Sequence, residues 1–323
     1  MCTAIAANVN GLYFGRNLDF EYDFGEKIVI TPQNYIIKFN NGEKLMSHYA
    51  ISGMAIVENN YPLYFDAFNE KGLAIAGLNF PGNAIYNKPI KGKLNIASFE
   101  LIPYILSKCA NVIEAEAIFS EINITNNAFS DKFKPTPLHW MISDNVSSIV
   151  LEQTADGVKV YKNEIGVLTN NPEFDYQLFN LNNYMYITSK EPENLFCDNV
   201  KLIKYSRGMG AIGLPGDLSS MSRFVRASFF KLNSQWGNTE EEIVLQFFRL
   251  LYSVYQIKGG AMVEDKFEIT NYSSCCNTKR GIYYYTTYNN SAINAVNIYK
   301  ENLDSKELIT YELIKDKEIP FQN

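Results

Sequence analysis

The order of strand and helix signals predicts an α+β domain in which helices cover sheets. Strand-rich and helix-rich zones alternate in the order strands, helices, strands, helices, strands, which is typical of layered folds. The 323 residues are 46% hydrophobic and 20% charged, which is enough for a sizeable core. No repeat, low-complexity tract or obvious linker divides the sequence. We therefore expect one domain over residues 1–323.

Ten segments are predicted to be strands. Short β-branched or apolar runs bounded by Gly, Asn and Asp turn residues are typical of strands. The clearest pair flanks the turn Asn69-Glu70-Lys71-Gly72. The predicted strands are 2–14, 27–31, 49–57, 61–68, 73–80, 139–143, 148–153, 158–161, 282–288 and 292–298.

Capping signals mark the first helical zone, which spans about 100–122. Pro103 suits the first turn of a helix, where its missing N–H is harmless. Asn111 and Glu114 resemble a capping box that opens a second helix.

The second helical zone lies beyond residue 213. A helix is expected over about 220–232, and a capping box of Thr239 and Glu242 predicts another over 243–255. The segment 180–213 is the least regular part of the chain. It is predicted to be a long loop or an arm that contacts a partner subunit.

Charge and composition exclude several classes of function. The net charge is −6, so nothing favours a nucleic-acid partner. No apolar run approaches 18 residues, which argues against a membrane span. The first basic residue is Arg16, so a secretory signal is not expected and a cytoplasmic location is predicted.

The cysteines and histidines narrow the chemistry further. The five cysteines are odd in number and include no CxxC pair, so neither a disulfide framework nor a zinc site is indicated. Only two histidines exist, His48 and His139, and each is interpreted as a hydrogen-bonded core or edge residue. If the protein is an enzyme, we therefore expect its general base to be a group other than these two histidines.

Cys2 is the candidate nucleophile. Removal of Met1 would leave a thiol and an α-amine on one residue, with pKa values of about 8.5 and 7.7–8.0. Such an amine can take the thiol proton near neutral pH without a histidine. Arg16 would favour the thiolate, and Asp19 would orient the amine. The alternative interpretation is a buried small cysteine beside a surface ion pair.

Several segments, in order along nearly the whole chain, resemble the choloylglycine hydrolase family. That family contains bile salt hydrolases and penicillin V acylases and belongs to the N-terminal nucleophile hydrolases. The segments that carry the resemblance are Met1 to Ile5, Gly15 to Asp19, Asn69 to Leu73, Gly77 to Pro81, Leu138 to Asp144, Gly166 to Pro172, Leu214 to Asp217 with Ser222 to Phe224, and Gly281 to Tyr285.

The resemblance implies a four-layer αββα sandwich of two antiparallel sheets and a set of site residues. In the family pattern, Cys2 is nucleophile and base, Arg16 lies against the thiol, and Asp19 hydrogen-bonds the amine. Asn170 donates its side-chain amide to the oxyanion, to which Asn79 also contributes. The family pattern also gives Arg223 the role of organising the charges around the nucleophile. No metal or organic cofactor is implied, and the resemblance further implies a homotetramer.

The substrate class divides within this family between conjugated bile salts and penicillin V. Both present a bulky apolar acyl group, for which Leu18, Phe24 and Phe65 are candidate pocket residues by position. Asn79 favours bile salts, because penicillin V acylases of the family often carry tyrosine there. The alternatives are a penicillin V acylase, a non-catalytic relative that binds amphipaths, and a glutamine amidotransferase, which Thr3 and the lack of a synthase domain disfavour.

Overall fold

Two antiparallel sheets lie face to face in the computed structural model, which describes residues 1–316 and 319–323. In the six-stranded sheet the order is β14-β1-β2-β17-β18-β19, and in the eight-stranded sheet it is β13-β12-β11-β8-β7-β6-β3-β20. The strands are β1 (Cys2–Asn8), β2 (Leu12–Phe20), β3 (Lys27–Thr31), β4 (Ile37–Lys38), β5 (Lys44–Leu45), β6 (Ile51–Glu58), β7 (Tyr61–Asn69), β8 (Ala74–Asn79), β9 (Leu94–Ala97), β10 (Ile122–Thr125), β11 (Leu138–Ser143), β12 (Ser148–Thr154), β13 (Gly157–Lys162), β14 (Val167–Leu168), β15 (Met262–Val263), β16 (Lys266–Phe267), β17 (Ile269–Asn277), β18 (Ile282–Thr287), β19 (Asn294–Asn297) and β20 (Ile309–Glu312).

Helices cover the outer faces of both sheets. The α-helices are α1 (Leu101–Lys108), α2 (Val112–Phe119), α3 (Phe174–Asn180), α4 (Ser220–Asn233) and α5 (Glu240–Tyr252). Helix α1 packs on β7 and β8 of the larger sheet, whereas α4 and α5 pack on β1, β2 and β17 of the smaller one. The predicted αββα sandwich is thus confirmed. None of the helices in residues 1–316 and 319–323 is long and apolar enough to cross a membrane.

Two apolar cores hold the layers together. One joins the facing sides of the two sheets to α4 and α5, with Ile5, Phe68 and Phe247 among its members. The other fills the space between the eight-stranded sheet and α1 and α2, around Ile105 and Trp140. Both buried strand faces and helix stripes therefore find apolar partners, as a layered domain requires.

The N-terminal segment differs from the prediction in a way that builds the site. Residues 2–14 were expected to form one strand, but the chain reverses at Asn10 and Gly11, whose φ angles are 57° and 141°. Glycine and asparagine tolerate this left-handed region, so the reversal costs little. Strand β2 therefore returns along β1 and places Leu18 opposite Cys2.

The final helix α5 also differs from its prediction, which was 243–255. Thr239 accepts a hydrogen bond from the Glu242 nitrogen as a helix cap, so the helix begins at Glu240. It ends at Tyr252, and the nitrogen of Ser253 donates to the carbonyl oxygens of Arg249 and Leu250. Most other predicted elements are confirmed to within a few residues, and the cap at Asn111 is present before α2.

Candidate active site

The β1–β2 hairpin presents two different faces around Cys2. Side chains alternate along a strand, so Arg16 and Leu18 project to the opposite side from Asn17 and Asp19. We call the side formed by Cys2, Arg16, Leu18 and Phe20 the pocket face, because all four line one cavity. The side formed by Thr3, Asn17 and Asp19 is the helix face, because its polar atoms bond residues of α4, α5 and the adjacent strand β17.

An apolar cavity of about 380 Å³ opens in front of the pocket face. Its three predicted binding residues, Leu18, Phe24 and Phe65, all line it. The ring centroids of Phe24 and Phe65 are 5.4 Å apart, which makes one continuous aromatic wall. Further aromatic lining comes from Phe20, Tyr22, Phe99, Phe129, Phe133 and Trp140.

Arg16 is the buried cation of this cavity. Its Nη1 donates to the carbonyl oxygens of Gly77 (2.5 Å) and Phe65 (3.2 Å) on the opposite sheet. Its Nη2 is buried and has no hydrogen-bond partner among the residues described. Burial alone lowers the pKa of Arg16, but nearby Cys2 and other acidic groups raise it above its usual range. Arg16 is therefore a permanent positive charge beside Cys2.

Arg223 is the buried cation of the helix face. Its Nη1 donates to Thr3 Oγ1 (2.6 Å) and to the carbonyl oxygen of Cys2. Its Nη2 donates to Asn170 Oδ1 (2.7 Å), and its Nε donates to the carbonyl oxygen of Leu218 (2.9 Å). Burial lowers the pKa of Arg223, while the neighbouring Asp19 and Cys2 raise it. One guanidinium thus ties α4 to both Cys2 and Asn170.

Asn170 and Asn79 meet at the edge of the cavity. Asn170 Oδ1 accepts from the backbone nitrogen of Cys2 (2.8 Å), and Asn170 Nδ2 donates to the carbonyl oxygen of Asn79 (2.7 Å). Asn79 ends β8 and lines the cavity. The side chain of Asn170 therefore bridges the nucleophile strand and the wall that carries Asn79.

Asp19 lies on the helix face with its side chain fully buried. Its Oδ1 accepts from Thr270 Oγ1 (2.6 Å), whereas its Oδ2 has no partner in the described part of the chain. Burial raises the pKa of Asp19, and the N-terminal amine, Arg223, Thr270 and Arg16 act in the opposite direction. One carboxylate oxygen is thus fixed and the other remains available.

Met1 precedes Cys2 in this structure, so the Cys2 nitrogen is a peptide nitrogen. The α-amine of Met1 donates to the carbonyl oxygen of Asp19 (2.8 Å) and contacts the buried carboxylate of Glu268. Burial lowers the pKa of this amine below its usual 8.0, although Cys2 and Asp19 raise it. An amine in this region consequently loses its proton more readily than an exposed one.

Neither histidine lines the cavity, and both have the hydrogen bonds that were predicted. His139 is buried, with Nδ1 2.9 Å from Glu152 Oε1 and Nε2 2.9 Å from the carbonyl oxygen of Thr169. The two ring nitrogens of His48 meet the carbonyl oxygens of Tyr49 and Tyr35. In residues 1–316 and 319–323, no group of three or more His, Cys, Asp or Glu side chains is placed to hold a metal ion.

The other four cysteines are also free thiols. Burial raises the pKa of Cys109 to about 12 and holds the pKa values of Cys275 and Cys276 well above their usual range. Cys197 lies in the irregular segment 180–213 and is partly exposed.

Sequence reasoning missed two groups that surround the site. The buried Asp66 accepts from the hydroxyls of Tyr272 (2.5 Å), Tyr283 (2.6 Å) and Ser274 (3.0 Å), and so joins the two sheets beside Arg16. Thr270 contacts Asp19 as described above. The available signal was the series of hydroxyl residues in β17, which has the sequence ITNYSSCCN and is mostly buried.

The comparisons with known proteins agree on one family. The family model described as linear amide C–N hydrolases, choloylglycine hydrolase family, matches residues 2–311. A protein of Lactiplantibacillus plantarum named bile salt hydrolase/transferase is 52% identical, covering 97% of each chain. A crystal structure of a variant of conjugated bile acid hydrolase from Clostridium perfringens has a TM-score of 0.93 at 37% identity, covering 100% of each chain.

A more distant structure shares the fold alone. Penicillin V acylase from Agrobacterium tumefaciens has a TM-score of 0.77 at 20% identity and covers 96% of this chain and 91% of its own.

Proposed function

The chain belongs to the choloylglycine hydrolase family of linear amide C–N hydrolases, and on that premise we propose that it hydrolyses the amide bond of glycine- or taurine-conjugated bile salts. The observation that carries this proposal is the position of Cys2, which lies between an apolar cavity and a buried polar cluster. The cavity suits the acyl body of the substrate, and the polar cluster suits the chemistry.

Removal of Met1 is the first requirement of the mechanism. It converts the peptide nitrogen of Cys2 into an α-amine that can take the thiol proton. Asp19 Oδ2, buried and without a partner among the described residues, is the acceptor that we assign to this amine. The resulting ammonium lies beside a carboxylate, and the thiolate lies beside Arg16. Both charges of the reactive pair are therefore compensated.

Acylation follows from the same arrangement. The thiolate attacks the amide carbonyl carbon, and the carbonyl oxygen becomes an oxyanion. We assign Asn170 and Asn79 as its donors, as the family pattern implies. An amide NH₂ group has two hydrogens, and Asn170 Nδ2 uses one of them for the carbonyl oxygen of Asn79, so the other can serve the oxyanion.

Collapse of this intermediate breaks the C–N bond. The ammonium of Cys2 gives its proton to the leaving nitrogen, which departs as glycine or taurine and leaves an acyl thioester. The amine then takes a proton from water, the hydroxide attacks the thioester, and the free bile acid departs as Cys2 regains its proton. The α-amine of Cys2 thus carries each proton, first from the thiol to the leaving nitrogen and then from water back to the thiol.

The choice of substrate rests on the cavity, on Asn79 and on the relatives. The aromatic wall offers an apolar surface to a steroid. Relatives that cover nearly the whole chain are named as bile salt or conjugated bile acid hydrolases. Penicillin V acylase is a likeness of fold alone, at 20% identity.

The test is mass spectrometry of the purified protein after parallel incubation with glycocholate, taurocholate and penicillin V. We expect a protein mass that lacks Met1 and faster release of glycine or taurine than of the penicillin V side-chain acid. Faster cleavage of penicillin V would overturn the substrate assignment, and an active protein that retains Met1 would overturn the role of the amine.

Acyl transfer to an amine is a second candidate activity. It is favoured by the name hydrolase/transferase of the 52% identical relative and by the thioester, which an amine can attack in place of water. Incubation of taurocholate with excess glycine should then yield glycocholate as well as cholate. Cholate alone, at every glycine concentration, would contradict this activity.

We further propose a cytoplasmic homotetramer in which the segment 180–213 contributes to an interface. This segment exposes several large apolar side chains, including Tyr186, Leu195, Phe196 and Tyr205, which a partner subunit could cover. Light scattering of the pure protein tests the assembly, and cell fractionation tests the location. A monomer at micromolar concentration would contradict the tetramer.

A further inference from the structure

Thr270 lies beside Asp19, on the adjacent strand of the six-stranded sheet. It belongs to β17 and is paired with Asp19 on β2 in the sheet register. Its side chain is fully buried, and its Oγ1 is 2.6 Å from Asp19 Oδ1. It does not line the apolar cavity, so it has no access to a substrate there.

The hydrogen of the Thr270 hydroxyl has a fixed direction. The backbone nitrogen of Gln256 donates to Thr270 Oγ1 at 2.8 Å, and the backbone nitrogen of Thr270 donates to the carbonyl oxygen of Gln256 at 3.1 Å. A hydroxyl has a single hydrogen to donate. Since its oxygen already accepts from Gln256, that hydrogen is directed at Asp19.

This bond decides which oxygen of Asp19 is available. With Oδ1 held by Thr270, the carboxylate cannot rotate freely, and Oδ2 is the oxygen left without a partner among the residues described. The hydrogen bond also stabilises the charged form of a carboxylate whose burial favours the neutral form. Both effects serve a group that must bind an ammonium.

We propose that Thr270 is a positioning residue for catalysis: its hydroxyl holds the Asp19 carboxylate charged and oriented toward the α-amine of Cys2. This inference rests on the proposed function, because it assumes that the amine of Cys2 is the base. It adds a residue outside the set carried over from the family pattern. The residue acts through Asp19 and not by contact with the substrate.

The test compares Thr270→Val, which keeps the shape and removes the hydroxyl, with Thr270→Ser, which keeps the hydroxyl. Thr286→Val is the matched control, since Thr286 is buried in β18 of the same sheet and its hydroxyl meets only Tyr252 at 3.4 Å among the described residues. Loss of a hydrogen bond to a charged group predicts a kcat for taurocholate lowered by about tenfold to a hundredfold in Thr270→Val. We expect KM to change less than about twofold, and Thr270→Ser and Thr286→Val to stay within about threefold of wild-type kcat.

A second readout needs no bile salt. The rate at which iodoacetamide alkylates Cys2 at pH 7, followed by peptide mass spectrometry, reports how readily the amine takes the thiol proton. We expect it to fall in Thr270→Val and to recover in Thr270→Ser. An unchanged rate and an unchanged kcat in folded Thr270→Val would overturn the role of Thr270.

The two readouts separate the inference from the proposed function. If wild type cleaves no bile salt but Thr270→Val still slows alkylation, the substrate is wrong and Thr270 retains its role. If wild type is active and Thr270→Val equals it in both assays, the proposed function stands and the inference about Thr270 fails. Circular dichroism melting of each variant confirms that the comparison is made on folded protein.

Discussion

The pocket face and the helix face of the β1–β2 hairpin have different surroundings, one mainly apolar and the other mainly polar. On the pocket face, Leu18 and Phe20 meet an apolar cavity, and a single charge, Arg16, is anchored to carbonyl oxygens of the facing sheet. On the helix face, Asp19 and Thr3 are held by hydrogen bonds from Thr270 and Arg223. The first face offers carbon surface to a ligand, whereas the second offers fixed donors and acceptors.

This difference predicts whether a substitution on each face should change substrate binding or the rate of the chemical step. Apolar contacts are non-directional, so the apolar residues of the pocket face should act mainly on binding. Buried hydrogen bonds are directional, and the loss of one partner leaves the other unsatisfied. Residues of the helix face and their partners should therefore act mainly on the chemical step. Cys2 belongs to both sets, because its thiol lines the cavity and its backbone is held from the helix side.

The largest effect is expected from Cys2→Ala. The variant keeps the cavity but lacks the sulfur, so hydrolysis of taurocholate should fall by at least about 10⁴-fold while the fold persists. Release of taurine measures the reaction, and isothermal titration measures whether taurocholate still binds. Turnover by pure Cys2→Ala would refute the mechanism. Binding by a wild type that forms no product would instead favour a non-catalytic amphipath-binding protein.

Substitution of Asn170 tests whether the polar residues around Cys2 act on the chemical step. Asn170→Ala and Asn170→Asp both remove the side-chain donors, and the second keeps the acceptor that Arg223 and Cys2 use. We expect kcat to fall by about 10²–10³-fold in both, with little change in KM. Steady-state kinetics with glycocholate checks this. Wild-type kcat in Asn170→Asp would show that the donors are not needed.

Substitution of Phe65 tests whether the apolar wall of the cavity acts on substrate binding. Phe65→Ala removes one half of the aromatic pair with Phe24, and a buried phenylalanine side chain contributes about 1.5–3 kcal/mol. Because only part of that surface faces the ligand, we expect KM to rise about tenfold with kcat within about threefold. Phe179→Ala is the control, since Phe179 is 74% exposed on α3. A fall in kcat without a change in KM would remove the distinction between the faces.

The smallest effect is expected from Asp217, which precedes α4, the helix that carries Arg223. Hydrogen bonds from the side chain and the backbone of Ser219 and from the Ser222 hydroxyl lower the pKa of Asp217 to about 2, from a usual 3.8. A folded-state pKa below the unfolded value stabilises the protein above about pH 4, and this contribution is lost as the pH falls toward 2.

Asp217→Asn should accordingly lower Tm slightly at pH 6 and leave it nearly unchanged relative to wild type near pH 2. Thermal melts over this pH range measure the difference, with the exposed Asp265→Asn as a control. An equal decrease in Tm at both pH values would show that the charge of Asp217 is not responsible.

Most of the strands and helices were predictable because their signals are local, although β17 and α3 were not predicted. The strand at 27–31 and the caps at Asn111 and Thr239 follow from side chains within a few residues of one another. The turn at Asn10 and Gly11 was missed, because the apolar residues on both sides of it read as one continuous run. That single turn places Arg16 opposite Ala4 and Asp19 beside the chain start.

The site was predictable only as far as the family pattern reached. Cys2, Arg16, Asp19, Asn79, Asn170 and Arg223 converge in the structure, although their roles stay predictions. Thr270 is about 250 residues from Asp19 in sequence, and nothing local to either residue indicates their contact. Pairings of that range depend on how β17 docks beside β2, which only the complete fold determines.

Of the four buried cysteines, only Cys2 lines the apolar cavity, and this has a consequence for chemical labelling. Cys109, Cys275 and Cys276 are shielded and, with raised pKa values, hold little thiolate at neutral pH. Cys197 is partly exposed and does not line the apolar cavity, where a steroid reagent would bind. A steroid that carries a thiol-reactive warhead in place of its scissile amide would therefore tag Cys2 selectively in the natural sequence. The protein could then be detected in a mixed culture by a covalent probe, without an engineered handle.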